Sequence, residues 1–156
     1  MIAISHAEPK DARAILDLQK LAYQSEARLY NDWSLPALTQ SLESLLDEFG
    51  NSIVLKAIEA DQIVGSVRAK ASMGTCAIGR LIVHPGSQGK GIGSKMLADI
   101  ESRFPEVSRY ELFTGSKSEA NIRLYQRHGY KITHTQPLSA TVSITFLEKQ
   151  ATAGHR

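Results

Sequence analysis

The sequence predicts one mixed α/β domain, with a largely antiparallel central sheet of six to seven strands flanked by about four helices. Three observations predict it. Apolar residues recur at helical spacing near the start and again in two later segments, while the middle and the end turn to β-branched, strand-like runs. No repeat, linker or low-complexity segment separates these parts, and the resulting order is β-α-α-β-β-β-α-β-α-β-β. A length of 156 residues suits a single domain with a real core, assigned to residues 1–149. The small, polar stretch from Gln150 to Arg156 is expected to fray.

Taken in order, Ile2 to Ser5 reads as a short strand, and Glu8-Pro9 opens a helix with Ala12, Ile15, Leu18 and Ala22 on one side. Tyr23 to Trp33 reads as a mixed connector. A second helix is expected from about Leu35 to Phe49, carrying Leu38, Leu42, Leu45 and Phe49 on one face and stopping at Gly50. Ser52 to Glu59 and Gln62 to Ala69 are β-branched runs joined by Ala60-Asp61, which predicts a hairpin. After a Met73-Gly74 turn comes a strand from Cys76 to Val83, ended by Pro85-Gly86. The next helix sets Ile92, Met96, Ile100 and Phe104 four apart and stops before Pro105. A strand from Tyr110 to Thr114, a helix from Ser118 to His128 capped by Gly129, and strands from Tyr130 to Thr135 and Ala140 to Leu147 complete the order.

An apolar fraction of 42% and a charged fraction of 22% are ordinary for a globular protein, and a net charge of +2 is too small to argue for nucleic acid or an anionic membrane as main partner. The one cysteine, Cys76, excludes an internal disulfide and reads as a buried, inert thiol. No apolar run approaches the roughly 18 residues of a membrane span, and Met1-Ile-Ala-Ile-Ser-His does not read as a signal peptide, so a cytoplasmic protein is expected.

The stretch Leu81-Ile-Val-His-Pro-Gly-Ser-Gln-Gly-Lys-Gly-Ile-Gly93 carries most of the chemistry. A strand meets a glycine-rich loop and then a helix start, which aims several N–H groups at one spot at the positive end of a helix dipole. That is an anion site for a phosphate or pyrophosphate. The pattern G-x-x-x-x-G-K-[ST] fails at Ile92, where lysine is required, and G-x-G-x-x-G fails at Met96. What fits is Q-x-x-G-x-G, as Gln88-Gly-Lys-Gly91-Ile-Gly93, preceded by Leu-Ile-Val-His-Pro. A second stretch, Thr114-Gly-Ser-Lys-Ser-Glu-Ala-Asn-Ile-Arg-Leu-Tyr-Gln-Arg-His-Gly-Tyr130, sets Asn121 and Tyr125 four apart on one helix face.

In these two stretches the chain resembles the GNAT superfamily, the acyl-CoA-dependent N-acetyltransferases. The resemblance implies an acyl-CoA N-acyltransferase fold and acetyl-CoA as acyl donor, with no metal. Gln88, Gly89, Lys90, Gly91, Ile92, Gly93 and Ser94 would bind the pyrophosphate of coenzyme A, and the backbone of Leu81, Ile82 and Val83 would run beside the pantetheine arm. Tyr125 would be the general acid that protonates the departing thiolate. Many members carry an asparagine seven residues before that tyrosine, where this chain has Ser118; Asn121 is taken as the cofactor contact.

The implied activity is transfer of an acetyl group to a primary amine of a small molecule or peptide, by direct attack on the thioester. A non-catalytic acyl-CoA-binding sensor or subunit is the alternative. No base is assigned, because Thr75 to Val83 holds no carboxylate; Glu26, Tyr30, Asp32, Glu111 and His84 are candidates outside or beside that strand. Arg80, the only charge on the strand, is expected to face solvent or pair with an acid. Lys117, Arg123 and Arg127 could meet the 3′-phosphate or form a solvated helix face. Tyr23, Tyr30, Trp33, Glu26 and Asp32 would shape the acceptor cleft. The apolar final strands leave a homodimer open.

Overall fold

Hydrophobic pattern and turn chemistry set most of the architecture in the computed structural model, which describes residues 1–151. Among these residues there are seven strands: β1 (Ala3–His6), β2 (Ile53–Glu59), β3 (Gln62–Ser72), β4 (Thr75–Val83), β5 (Arg109–Gly115), β6 (Lys131–Pro137) and β7 (Ser143–Gln150). Six α-helices accompany them: α1 (Ala12–Ala22), α2 (Gln24–Tyr30), α3 (Pro36–Thr39), α4 (Leu42–Phe49), α5 (Ile92–Ser102) and α6 (Glu119–Arg127). The strands form one sheet in the order β1-β2-β3-β4-β5-β7-β6. Every pairing is antiparallel except β4 with β5. The mixed, largely antiparallel sheet expected from the sequence is present.

The two tight hairpins follow from positive backbone angles. Ala60 and Asp61 take φ of 51° and 64°, and Met73 and Gly74 take 52° and 83°, the left-handed pair that a two-residue hairpin of native twist requires. β3 runs buried from Val64 to Ala69 because helices cover both of its faces. On one face α5 packs Ile92, Met96, Leu97 and Ile100 against Leu55, Val67, Ala69 and Ile78. On the other, Ala12, Ile15 and Leu16 of α1 meet Leu45 of α4 and Val54 of β2.

A polar network ties β3 to the helices on that second face. Arg68, 4% exposed, donates from Nε to Glu48 at 2.7 Å, from one terminal nitrogen to Gln19 at 3.1 Å and from the other to Gln40 at 3.0 Å. Gln19 in turn donates to the carbonyl of Ala37 and to Gln40, so α1, α3 and α4 converge on one guanidinium.

Three expectations need correction. Tyr23 to Trp33 is not a plain connector: α2 occupies Gln24–Tyr30 and ends on Asn31 at φ 50°. Its buried Ala27 and Tyr30 continue at helical spacing from Tyr23 at the N-cap, but tyrosines at the apolar positions hide the pattern. The helix expected from Leu35 to Phe49 is two helices, because Gln40 turns to ψ 135° and Ser41 caps α4 by accepting from the Ser44 N–H at 3.1 Å. At the other end, Gln150 pairs with Arg109, and Ala151 donates its N–H to Ser108 at 2.9 Å and packs on the core, so neither frays. The rest of the expected tail, residues 152–156, lies outside the described residues.

Removing Glu48 leaves a buried guanidinium without its anion. Glu48→Ala should destabilise the fold by about 2–3 kcal/mol in denaturant unfolding, less than for a fully buried pair because Glu48 is partly solvated. A loss below about 0.5 kcal/mol would contradict the network's structural role.

Candidate active site: a cleft where two parallel strands part

The one parallel pair does not stay together. β4 and β5 are in register only at Thr75–Ala77 with Arg109–Glu111, after which the strands separate. The separation opens a cleft of about 540 Å³ at the C-terminal ends of the two strands. The crevice at the carboxyl ends of parallel strands is where α/β sheets commonly bind ligands. Here β4 leads to α5 and β5 to α6.

β4 carries a bulge on its other side. In the ladder with β3, Ser66 faces Ile82 and Arg68 faces Gly79, so the single residue Val67 stands opposite both Arg80 and Leu81. Arg80 sits at φ 50°, an unusual value for a non-glycine residue. The bulge re-aims β4, and Leu81, Ile82 and Val83 line the cleft.

The loop beyond β4 has the geometry of an anion cradle. His84 Nδ1 accepts from the Gly86 N–H at 2.9 Å and caps a 3-10 turn at Pro85–Ser87. That contact fixes the local role of His84, which does not line the cleft. Gly89 and Gly91 take φ of 82° and 78°, and a Cβ added to either would meet nothing within 4 Å. Both are therefore required for conformation, and their backbone lies open. Gly91 is the N-cap of α5, so the N–H groups of residues 92–94 point out of the helix without carbonyl partners in it.

Of the predicted cofactor residues, Gln88, Gly89, Gly91, Ile92, Gly93, Ser94 and Asn121 line the cleft together with residues 81–83. Lys90 does not: its ammonium pairs with Glu59 at 3.2 Å, leaving only its backbone for the loop. Among the three cations around α6, Arg127 lines the cleft. Arg123 pairs with Glu119 at 3.7 Å, and the Lys117 ammonium lies 5.5 Å from the centre of the Tyr30 ring.

The opposite wall comes from α2 and α6. Tyr125 is buried, and that burial raises its phenol pKa above the ordinary value, with the Tyr23 and Glu26 charges adding to the rise. Ser118 Oγ donates to Glu26 Oε1, so this serine is engaged within the protein, whereas Asn121 donates to Thr114 at 3.3 Å and faces the cleft. The Tyr30 hydroxyl accepts from the Lys117 N–H at 2.7 Å and rests so close to Gly115 that a Cβ there would fall 2.0 Å from it. Tyr30 is thus a structural tie between α2 and β5.

The candidate bases separate accordingly. Asp32 accepts from Ser34 and from the Thr141 hydroxyl, contacts that lower its pKa and join two loops. Glu111 lies on β5 outside the cleft, as does the exposed Trp33. Among the described residues, Glu26 is the only carboxylate lining the cleft. Arg80 departs from its expected place: the half-buried side chain lines the cleft, its guanidinium carbon 6.0 Å from the centre of the Tyr23 ring. The sequence offers one cue, Gly79 inside the strand run, which marks the bulge but not the direction in which it turns Arg80.

The matching family model is described as the acetyltransferase (GNAT) family, and it covers residues 13–130, from α1 to the end of the α6 capping turn. The chain belongs to the GNAT acetyltransferase family. The solved structure of PaiA N-acetyltransferase from Thermoplasma acidophilum, in complex with coenzyme A, has the same fold at a TM-score of 0.80 with 17% identity, covering 96% of this chain and 99% of that one. The ribosomal-protein-S18-alanine N-acetyltransferase from Escherichia coli reaches 0.81 at 14% identity over 97% of this chain and 95% of that one. Among curated relatives, UPF0157 protein YqkA from Bacillus subtilis is 24% identical over 85% of this chain and 38% of its own length. L-amino acid N-acyltransferase MnaT from Escherichia coli is 29% identical over 44% of each. The chain spans under half the length of these curated relatives. The GNAT chain's own helices include none that is long and apolar enough to cross a membrane, among the described residues.

The raised tyrosine pKa values carry a sign. Tyr23, Tyr110, Tyr125 and Tyr130 are all raised, chiefly by burial, so above pH 10 the unfolded chain releases phenol protons that the folded chain keeps. Stability is whole below pH 10 and falls above it, each group contributing up to about 1.4 kcal/mol per pH unit. Tyr125→Phe should show a shallower fall between pH 10 and 11.5 than the parent in denaturant titrations. An identical slope would mean that Tyr125 is not held neutral by burial.

Proposed function

We propose that this protein transfers an acetyl group from acetyl-CoA to a primary amine of a small molecule or peptide, by direct attack of the amine on the thioester. The observation that carries the reading is the two-walled cleft, with an anion cradle at the end of β4 and a buried phenol beside a carboxylate across from it. The residues suit coenzyme A on three counts. The open backbone at Gly89 and Gly91 and the free N–H groups at the start of α5 suit a pyrophosphate. The edge of β4 beyond Ala77, unpaired with β5, suits amide groups running alongside Leu81 to Val83. Arg127 and Asn121 lie on the same cleft for further polar contacts. The relative named for N-acylation of L-amino acids supports an amine acceptor.

Bound acetyl-CoA would supply an activated acyl carbon and a thiolate leaving group. The protein's share is position and proton movement. A main-chain N–H of the bulged segment near Leu81 would polarise the acyl carbonyl, a type of contact worth about 3–4 kcal/mol. Glu26, the only carboxylate lining the cleft among the described residues, would orient the amine and accept its proton. Tyr125 keeps its proton because its site is buried, and so enters the reaction as a donor, its Oη protonating the departing sulfur. Its phenol is a weaker acid than a free thiol, so this transfer depends on placement rather than on driving force.

Calorimetry should show tight binding of acetyl-CoA and none of ATP, and a panel of amines with thiol release as readout should yield turnover. Tyr125→Phe should lower kcat by about 100-fold with little change in the KM for acetyl-CoA. Preferential ATP binding would refute the acetyl-CoA reading. Cofactor binding without turnover of any amine would instead identify a sensor or subunit.

A further inference from the structure

Arg80 combines two unfavourable features at one point of the cleft wall. Among the described residues, its Nε is the only buried side-chain nitrogen or oxygen without a hydrogen-bond partner. A desolvated donor left in that state destabilises the fold unless a partner satisfies it. Its backbone also sits at φ 50°, held there by the β4 bulge. Strain of this kind persists where the surroundings impose it, and it gathers at ligand sites.

The other arginines in ion pairs show what is missing. Arg68 has Glu48 at 2.7 Å, Arg103 has Asp99 at 2.8 Å, Arg109 has Glu148 at 3.6 Å and Arg123 has Glu119 at 3.7 Å. Arg80 forms no ion pair among the described residues, although it is half-buried and lines the cleft. The one carboxylate of the cleft, Glu26, is turned toward Ser118. Arg80 and Glu26 therefore stand as separate opposite charges, and both act on Tyr23: Arg80 opposes the rise in its pKa and Glu26 adds to it.

Position decides what an anion on Arg80 would be. The phosphate-type cradle lies beyond Val83, whereas Arg80 is three residues earlier, about 10 Å back along the strand. That is the inner end of the cleft, away from the glycine loop and toward Tyr23. A second anion there belongs to the acceptor.

We propose that Arg80 is the acceptor-recognition residue and that the acceptor is an amine which also carries a carboxylate. The carboxylate docks on the guanidinium fork, and the amine is directed toward Glu26 and Tyr125. The fork's planar N–H groups suit a carboxylate, and the partner supplies the acceptor that the buried donor lacks. This inference rests on the acetyl-transfer reading of the cleft.

The test pairs the twenty L-amino acids with their carboxamides, measured by calorimetry on the full chain and by thiol release with acetyl-CoA. The best-bound acids should bind about tenfold or more tightly than their amides, as expected for one charge-assisted contact. Arg80→Gln should abolish that difference while leaving amide binding unchanged, and Arg80→Lys should keep part of it. Arg80→Gln should melt no lower than the parent, since it removes an unpartnered N–H. If it fails to fold, Arg80→Lys decides: reduced discrimination supports the proposal, and unchanged discrimination overturns it. The proposal is also overturned if the parent binds no acid more tightly than its amide, or if Arg80→Gln weakens both alike. Selective binding through Arg80 with no thiol release would show a carboxylate site at Arg80 but overturn its role in recognising an acetyl acceptor, together with the acetyl-transfer reading.

Discussion

Everything chemical in this molecule depends on the parting of β4 from β5. The two strands hold parallel register for three residues and then diverge, at the cost of ladder hydrogen bonds that a continuous sheet would have made. What they gain is an open edge of main chain in the middle of the domain, with a helix start beside each strand end. The bulge at Arg80 and Leu81 reinforces this by turning β4 away from the regular ladder with β3. A sheet continuous through this point would have no cleft, and the glycine loop and Tyr125 would have nothing to face.

Keeping such a gap open requires stiffness around it. α5 packs four fully buried side chains on one face of β2, β3 and β4. The Arg68 network fixes α1, α3 and α4 on the other. The far wall is held by narrower ties: Tyr30 against Gly115 and the Lys117 N–H, and Asp32 to Thr141 across two loops. These join α2 to the second half of the sheet, so Glu26 and Tyr23 keep their station opposite β4. Val142 and Ile144 of the last hairpin complete that wall by packing on Ala27, Tyr30 and Leu35.

Most of the element order was legible because it rests on periodicity and on punctuation. The stripe of Ile92, Met96 and Ile100 and the turns at Ala60-Asp61 and Met73-Gly74 needed only local physics. The glycine loop was legible for the same reason: Gly89 and Gly91 occupy backbone angles that their residue type foretells. What stayed hidden depends on partners far along the chain. α2 is a seven-residue helix whose buried residues are only Ala27 and Tyr30, so its sequence looks like a connector. The break at Gln40 follows from its side chain joining the Arg68 network. The local cue to the bulge is Gly79, a glycine inside a strand run, and it does not say that the next residue is turned toward a cleft, so Arg80 reads as an outward-facing residue on an ordinary strand. Glu26 could be named as a candidate, but only the fold separates it from Asp32 and Glu111.

In the proposed function, the open edge of β4 and the start of α5 form one continuous binding surface for coenzyme A. Titration of isotopically labelled protein with coenzyme A, followed by backbone amide resonances, tests it most directly. The largest shifts are expected at the amides of residues 81–83 and 88–94, with smaller ones at Asn121 and Tyr125. Shifts confined to the α1–α4 face, or none in the loop at saturating ligand, would contradict it.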